Sequence, residues 1–199
     1  MPTGVALHDP REQLFGAAER ILLRDGPNAL TSRAVTTEAG CAKGVLHRHF
    51  ADFDAFLAEL VLDRIGRLDG QAAALCDSAG TGTVVGNLTA ALTELFGPVA
   101  VAIVGLVTFR DDLCARLRQA RPGGGVPLLT EAVAMVASYL AAERGLGRVA
   151  ADADVDALAP MLIGSGHLLF AGREDVPEAG AVTRMVTAAI GGVVRSAMQ

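Results

Sequence analysis

The feature that most constrains this chain is its rhythm. From Arg11 onward, apolar side chains recur at the 3.6-residue spacing of a helix packed on one face. No alternating run competes with that beat, and no internal repeat divides it. The pattern predicts an all-α chain. With 51% of its residues hydrophobic, the chain can bury a large core, and intrinsic disorder is excluded.

Punctuation marks predict where the helices begin and end. Residues 1–9 read as a loose leader. A first helix spans Arg11 to Arg24, with Leu14, Ala18, Ile21 and Leu22 on one side, and Asp25-Gly26-Pro27-Asn28 stops it. Thr31 is placed to cap a helix running to Ala39. Gly40 supplies a sharp turn, and a third helix covers about Ala42 to Phe50. Asp52 caps a longer helix carrying Phe53, Phe56, Leu57, Leu60, Val61, Ile65 and Leu68. Ser78–Thr83 reads as a flexible break. Helices are expected at about 84–96, 98–108, 110–119 and 127–143, then from Asp152 or Asp154 to Ala171, and from Pro177 to near Met198.

The segment Thr31–Phe50, TSRAVTTEAGCAKGVLHRHF, carries the chemistry. Two short helices across a tight turn have the form of a helix-turn-helix, whose second helix enters the major groove of DNA. The formal net charge of −5 argues against a general polyanion binder. This segment, however, sets Arg33, Lys43 and Arg48 against Glu38 alone, and Lys43 is the only lysine of the chain. Val35, Ala39 and Leu46 form the buried side. Lys43, Val45, His47 and Arg48 face outward as base readers with Arg33 assisting, while Thr31 and His49 position the DNA backbone.

Over Arg11–Leu60 the sequence resembles the tetracycline-repressor (TetR) family of bacterial regulators. The resemblance is carried by the helix before the motif, Leu30-Thr31, Ala39-Gly40, Lys43-Gly44-Val45-Leu46, His49-Phe50 and Phe56-Leu57. It implies a helix-turn-helix DNA-binding head, residues 1–52, on a helical effector-binding and dimerisation body, residues 53–199. It also implies a homodimer that leaves its operator when a small effector binds. Three positions depart from the family's pattern. Ala42 stands where Ser or Thr usually caps the recognition helix, His47 replaces a frequent Tyr, and Phe53 replaces a common Lys. Operator affinity then rests more on Arg48 and Arg33.

The body is less explicit. Phe96, Phe109, Met135, Tyr139 and His167 are candidates to line an effector cavity, since such sites are apolar with a few polar groups. The scarcity of candidate buried charges favours a neutral or largely apolar effector. Two apolar faces predict a four-helix dimer interface. One holds Val155, Leu158, Ala159, Leu162, Gly166, Leu169 and Phe170; the other holds Val182, Met185, Val186, Ala189 and Val193.

Other features point to no second chemistry. Cys41, Cys76 and Cys114 lack metal-ligand spacing, and so sparse an odd set fits a reducing cytoplasm. Cys41, beside Lys43, is conceivable as a redox switch through a lowered thiol pKa. The N-terminus lacks a signal-peptide pattern. The apolar run Pro98–Phe109 is about half of the ~20 residues a membrane span needs. No acid, base or nucleophile cluster suggests an enzyme, and no cofactor is expected. The reading is a ligand-responsive DNA-binding regulator, a repressor; the alternative is a helical dimeric adaptor that binds protein and has lost DNA binding.

Overall fold

The computed structural model describes residues 9–121, 124–171, 177–178 and 180–195. Among these the chain is helical, and its one β-type pairing is an isolated antiparallel bridge between Val149 and Val194. Met198, the expected end of the last helix, lies outside the described residues, as do residues 1–8 of the expected leader.

Three helices form the head: α1 (Pro10–Asp25), α2 (Ser32–Glu38) and α3 (Gly44–His49). The Asp9 carboxylate caps α1, accepting from the Arg11 and Glu12 amides, and Pro10 pre-sets the first turn. Thr31 caps α2 by accepting the Ala34 N–H at 3.2 Å. Helix α3 is shorter than its apolar spacing implied. It begins at Gly44, after Gly40 has turned the chain at φ +65°, a conformation that favours glycine.

Helix α4 (Phe53–Asp77) is capped by Asp52, as its sequence predicts, and runs 25 residues, about 37 Å. Its first half, Phe56 to Ile65, belongs to the head's core; Leu68 and Leu75 belong to a second core. Helices α6 (Pro98–Thr108) and α7 (Asp111–Ala120) bury Ile103, Leu106, Leu113 and Leu117 in the head's core. The second core gathers α5 (Val84–Leu95), α8 (Leu129–Gly145), α9 (Val155–Phe170) and α10 (Ala181–Ile190). The apolar packing therefore does not break at residue 52.

Two connections differ from expectation. Ser78–Thr83 is pinned, not loose: the Asn87 amide donates to the Ser78 and Thr81 carbonyls, and Arg148 donates to those of Thr81 and Gly82. Helix α10 is short. It starts at Ala181, not at Pro177, and ends before Gly191-Gly192; the chain then extends so that the Ala150 N–H donates to the Val193 carbonyl.

Candidate nucleic-acid interface

Helix α3 is held by its buried side. Leu46 and Phe50 sink into the head, where Phe50 meets Phe56 edge-on at 5.1 Å and Phe15 at 5.8 Å. Arg11 lies over the Phe50 ring and pairs with Glu59 on α4. Gln13 donates to the Ala39 carbonyl at 2.7 Å and so ties the end of α2 to α1.

With that side fixed, the opposite one is set. Lys43, His47, Arg48 and His49 are exposed on and just before α3, and Thr31 and Arg33 are exposed at the start of α2. Val45 is the exception among the expected base readers. It is half-buried and packs against the head's core, because its position on so short a helix turns it partly inward.

The charges of the head divide in the same way. Arg11, Arg20 and Arg24, all on α1, are paired: Arg11 with Glu59, Arg20 with Glu38, and Arg24 with both Asp25 and Glu38. Arg20 and then Arg24 hold the Glu38 carboxyl below its ordinary range. Glu38, the one acidic residue of the helix-turn-helix, is thus neutralised from behind. Arg33, Lys43 and Arg48 form no ion pair among the described residues.

In the body, the expected cavity residues are dispersed. Met135 and Tyr139 are core residues of α8, fully engaged. Phe96 is buried against Gly166, where any side chain would collide with its ring, and stacks on Phe170 at 5.7 Å with His167 nearby. Phe109 does not join them; it ends α6 and is 84% exposed. A cavity of about 710 Å³ lies instead between α4 and α5, and none of these five residues lines it. Its polar lining includes Arg64, Arg67, Gln71, Asn87 and Glu94. Arg64, Arg67 and Gln71 fall at helical spacing on α4, off its apolar stripe. That spacing was the available sign, but it looks the same as a solvated face.

The residues of the expected dimer faces divide between buried and half-buried positions. Val155, Leu162, Gly166 and Val186 are buried within the single chain. Leu158, Leu169, Met185, Ala189 and Val193 are half-buried against that same core. Their stripes take part in the packing of α9 on α8 and on α10. What α9 leaves outside is a different face, with Met161 57% and Leu168 77% exposed and Gly164 between them.

Comparison with known proteins places this architecture. Residues 14–60 match the family model described as bacterial regulatory proteins, tetR family. Those residues, the helix-turn-helix head, are of the TetR type. No curated protein matches it by sequence. Among solved structures, the reduced form of Escherichia coli NemR superposes with a TM-score of 0.73 at 14% identity, covering 94% of this chain and 98% of that one. A TetR-family regulator from Mesorhizobium loti gives 0.70 at 16%, covering 92% and 94%. Bacillus subtilis FadR, solved with stearoyl-CoA, gives 0.68 at 13%, covering 92% and 98%. At such identities the structures establish the fold.

The three departures from the TetR pattern have visible consequences. With Ala42 before it, α3 receives no side-chain cap; Lys43 occupies the capping position without a hydrogen bond. His47 is exposed on α3. Phe53 turns inward, stacks on Phe56 at 5.6 Å and adds to the aromatic core. Burial pushes the Cys41 thiol up, which opposes thiolate chemistry there and fits a packing role. Among the described residues no cluster of His, Cys, Asp and Glu could hold a metal, and no single helix is long and apolar enough to cross a membrane.

Proposed function

We propose that this chain, with its TetR-type head, works as a homodimeric repressor that a small molecule releases from double-stranded operator DNA. The observation that carries the reading is the division of charge in the head. Arginines on the supporting helix are paired, whereas Arg33, Lys43 and Arg48, on the face that would meet DNA, have no partner among the described residues. Unpaired cations on an exposed helix-turn-helix suit phosphates and guanine edges. Arg33, Lys43, His47 and Arg48 would read bases, with Val45 contributing its outer edge to a thymine methyl. Thr31 and His49 would position the backbone. Residues 1–52 act as the reading head and 53–199 as the sensing and pairing body.

The Met161–Leu168 face of α9 supports dimerisation, because exposed large apolar residues at helical spacing mark surfaces that a partner covers. Two heads must then match half-sites ~34–36 Å apart. An effector that prefers another head spacing by ~1–3 kcal/mol is enough to shift the balance. The cavity between α4 and α5 suits such a molecule in size. The stearoyl-CoA in FadR lends support, since a protein of the same fold accommodates a small molecule.

A salt-titrated binding assay on the promoter beside its own gene tests the reading. Steep salt dependence with sequence preference is expected. Lys43→Ala and Arg48→Ala should each weaken specific binding by ~1–3 kcal/mol with the fold intact. Equal affinity for both variants and the parent would turn the assignment toward the protein-binding adaptor.

A further inference from the structure

We propose that the cavity between α4 and α5 takes an elongated amphiphilic carboxylate, its anionic head on Arg64 and its apolar chain along Leu68, Leu75 and Leu95. That this ligand is the effector rests on the repressor reading; that it binds does not.

The argument is an account of donors. Among the polar groups lining the cavity, the Asn87 amide is spent on the Ser78 and Thr81 carbonyls and the Tyr139 hydroxyl, at 3.0–3.2 Å. The Ser78 hydroxyl donates to the Leu75 carbonyl at 2.6 Å. Gln71 donates to Glu94 at 2.7 Å and so occupies the one carboxylate of the lining. Arg67 is held by Asp63 at 3.0 Å. Arg64 is half-buried and has neither ion pair nor side-chain hydrogen bond among the described residues. A half-buried guanidinium without a partner favours an anion beside it. An ammonium ligand would face two guanidinium groups one helical turn apart, and a neutral one would leave Arg64 unanswered.

Shape supplies the second half. The lining follows α4 from Arg64 to Ser78, about 21 Å at the helical rise. Arg64 stands at one end of that path. Leu68, Ala74, Leu75, Ala90, Ala91 and Leu95 line its length. One unpartnered charge at the end of a largely apolar trough selects a molecule built the same way. Leu128 also lines the cavity, and its φ of +77° makes it the one non-glycine with a left-handed backbone among the described residues. Strain of that kind gathers where a backbone is held to serve a ligand.

Three ten-carbon probes, decanoate, 1-decanol and decylammonium, separate the possibilities by calorimetric titration into the full-length protein without DNA. Decanoate should bind once per chain, at least about tenfold tighter than decanol, with decylammonium weakest. Arg64→Gln should cost decanoate about tenfold and leave decanol unchanged. Arg118→Gln, on the exposed side of α7, should change neither. Decanol binding as tightly as decanoate, no probe binding at all, or an indifferent Arg64→Gln would overturn the proposal. The comparison of probes on the parent protein stands even if that variant misfolds. Adding decanoate to the protein–DNA complex reads the regulatory role separately: binding without release keeps the ligand class and removes the effector role.

Discussion

The two hydrophobic cores of this molecule are built differently. The head's core is aromatic at its centre, with Phe15, Phe50, Phe53 and Phe56 ring against ring. The body's core is largely aliphatic and encloses a buried carboxylate, Glu143, which accepts from the Tyr139 hydroxyl at 2.7 Å and lies 3.4 Å from Arg148. The head's core also reaches beyond the head in sequence, taking in α6 and α7. The body's core keeps to the far half of α4 and to α5 and α8–α10. Position along the chain is therefore a poor guide to what packs together. Helices α6 and α7 pack into the head's core, and α4 runs through both cores.

The largest expected effect tests that division. Ile103 is fully buried on α6, within the head's core. Ile103→Ala should cost about 2–5 kcal/mol, as truncation of a buried aliphatic side chain does. Leu88→Ala, equally buried on α5 in the other core, should cost a similar amount. Urea unfolding reads both. Operator affinity, measured where both variants are folded, should fall for Ile103→Ala and hold for Leu88→Ala. If the two affect DNA binding alike, the division into two cores has no functional meaning.

An intermediate effect belongs to the body alone. Burial, and then the hydrogen bond to Glu143, push the Tyr139 hydroxyl well above its ordinary value of 10. The fold therefore favours the neutral phenol. That contribution is whole below pH 10 and is lost as pH rises, because the unfolded chain ionises first. Tyr139→Phe should cost about 1–3 kcal/mol by leaving the buried Glu143 carboxylate short of a donor. Unfolding midpoints between about pH 9 and pH 11 should then fall less steeply in the variant than in the parent. Parallel slopes would show that the hydroxyl titrates normally and that the buried network is not sealed.

What could be read from sequence follows the range of the forces involved. Thr31, Asp52 and Asp154 cap helices through bonds to amides three residues away, so their roles are visible locally. The exposed cations of α3 are legible for the same reason: on so short a helix, anchoring Leu46 and Phe50 fixes which residues remain outside. The faces of α9 and α10 are not legible. Periodicity marks Leu162 and Val186 as buried without saying by what, and the chain itself covers them before any partner can. Phe96, Met135 and Tyr139 are buried in the body's core, and sequence carries the same ambiguity there, since a large apolar side chain fills a core as readily as it lines a void. The trough between α4 and α5 depends on two helices meeting at a particular distance, which no stretch of sequence reports.

The smallest effect concerns the joint between α7 and the start of α4, beside the head's core. Asp52 follows the recognition helix by three residues and caps α4, accepting the Ala55 N–H at 2.6 Å; Arg116 on α7 reaches the same carboxylate at 3.4 Å. The amide, and then the guanidinium, hold Asp52 below its ordinary value of 3.8. A depressed carboxylate stabilises the fold above that value and ceases to as pH falls through it. Arg116→Ala should therefore be slightly less stable than the parent at about pH 6, and the difference should close as the pH falls below about 3.8. Both groups are open to solvent, so the gap should also shrink in ~1 M salt, where the Debye length is about 3 Å. A gap that persists in acid or in salt would mean that Arg116 holds α7 against α4 by packing its stem and not by charge. In that case the link between α7 and the start of α4 would be carried by the shared apolar core, and the ion pair would be incidental to it.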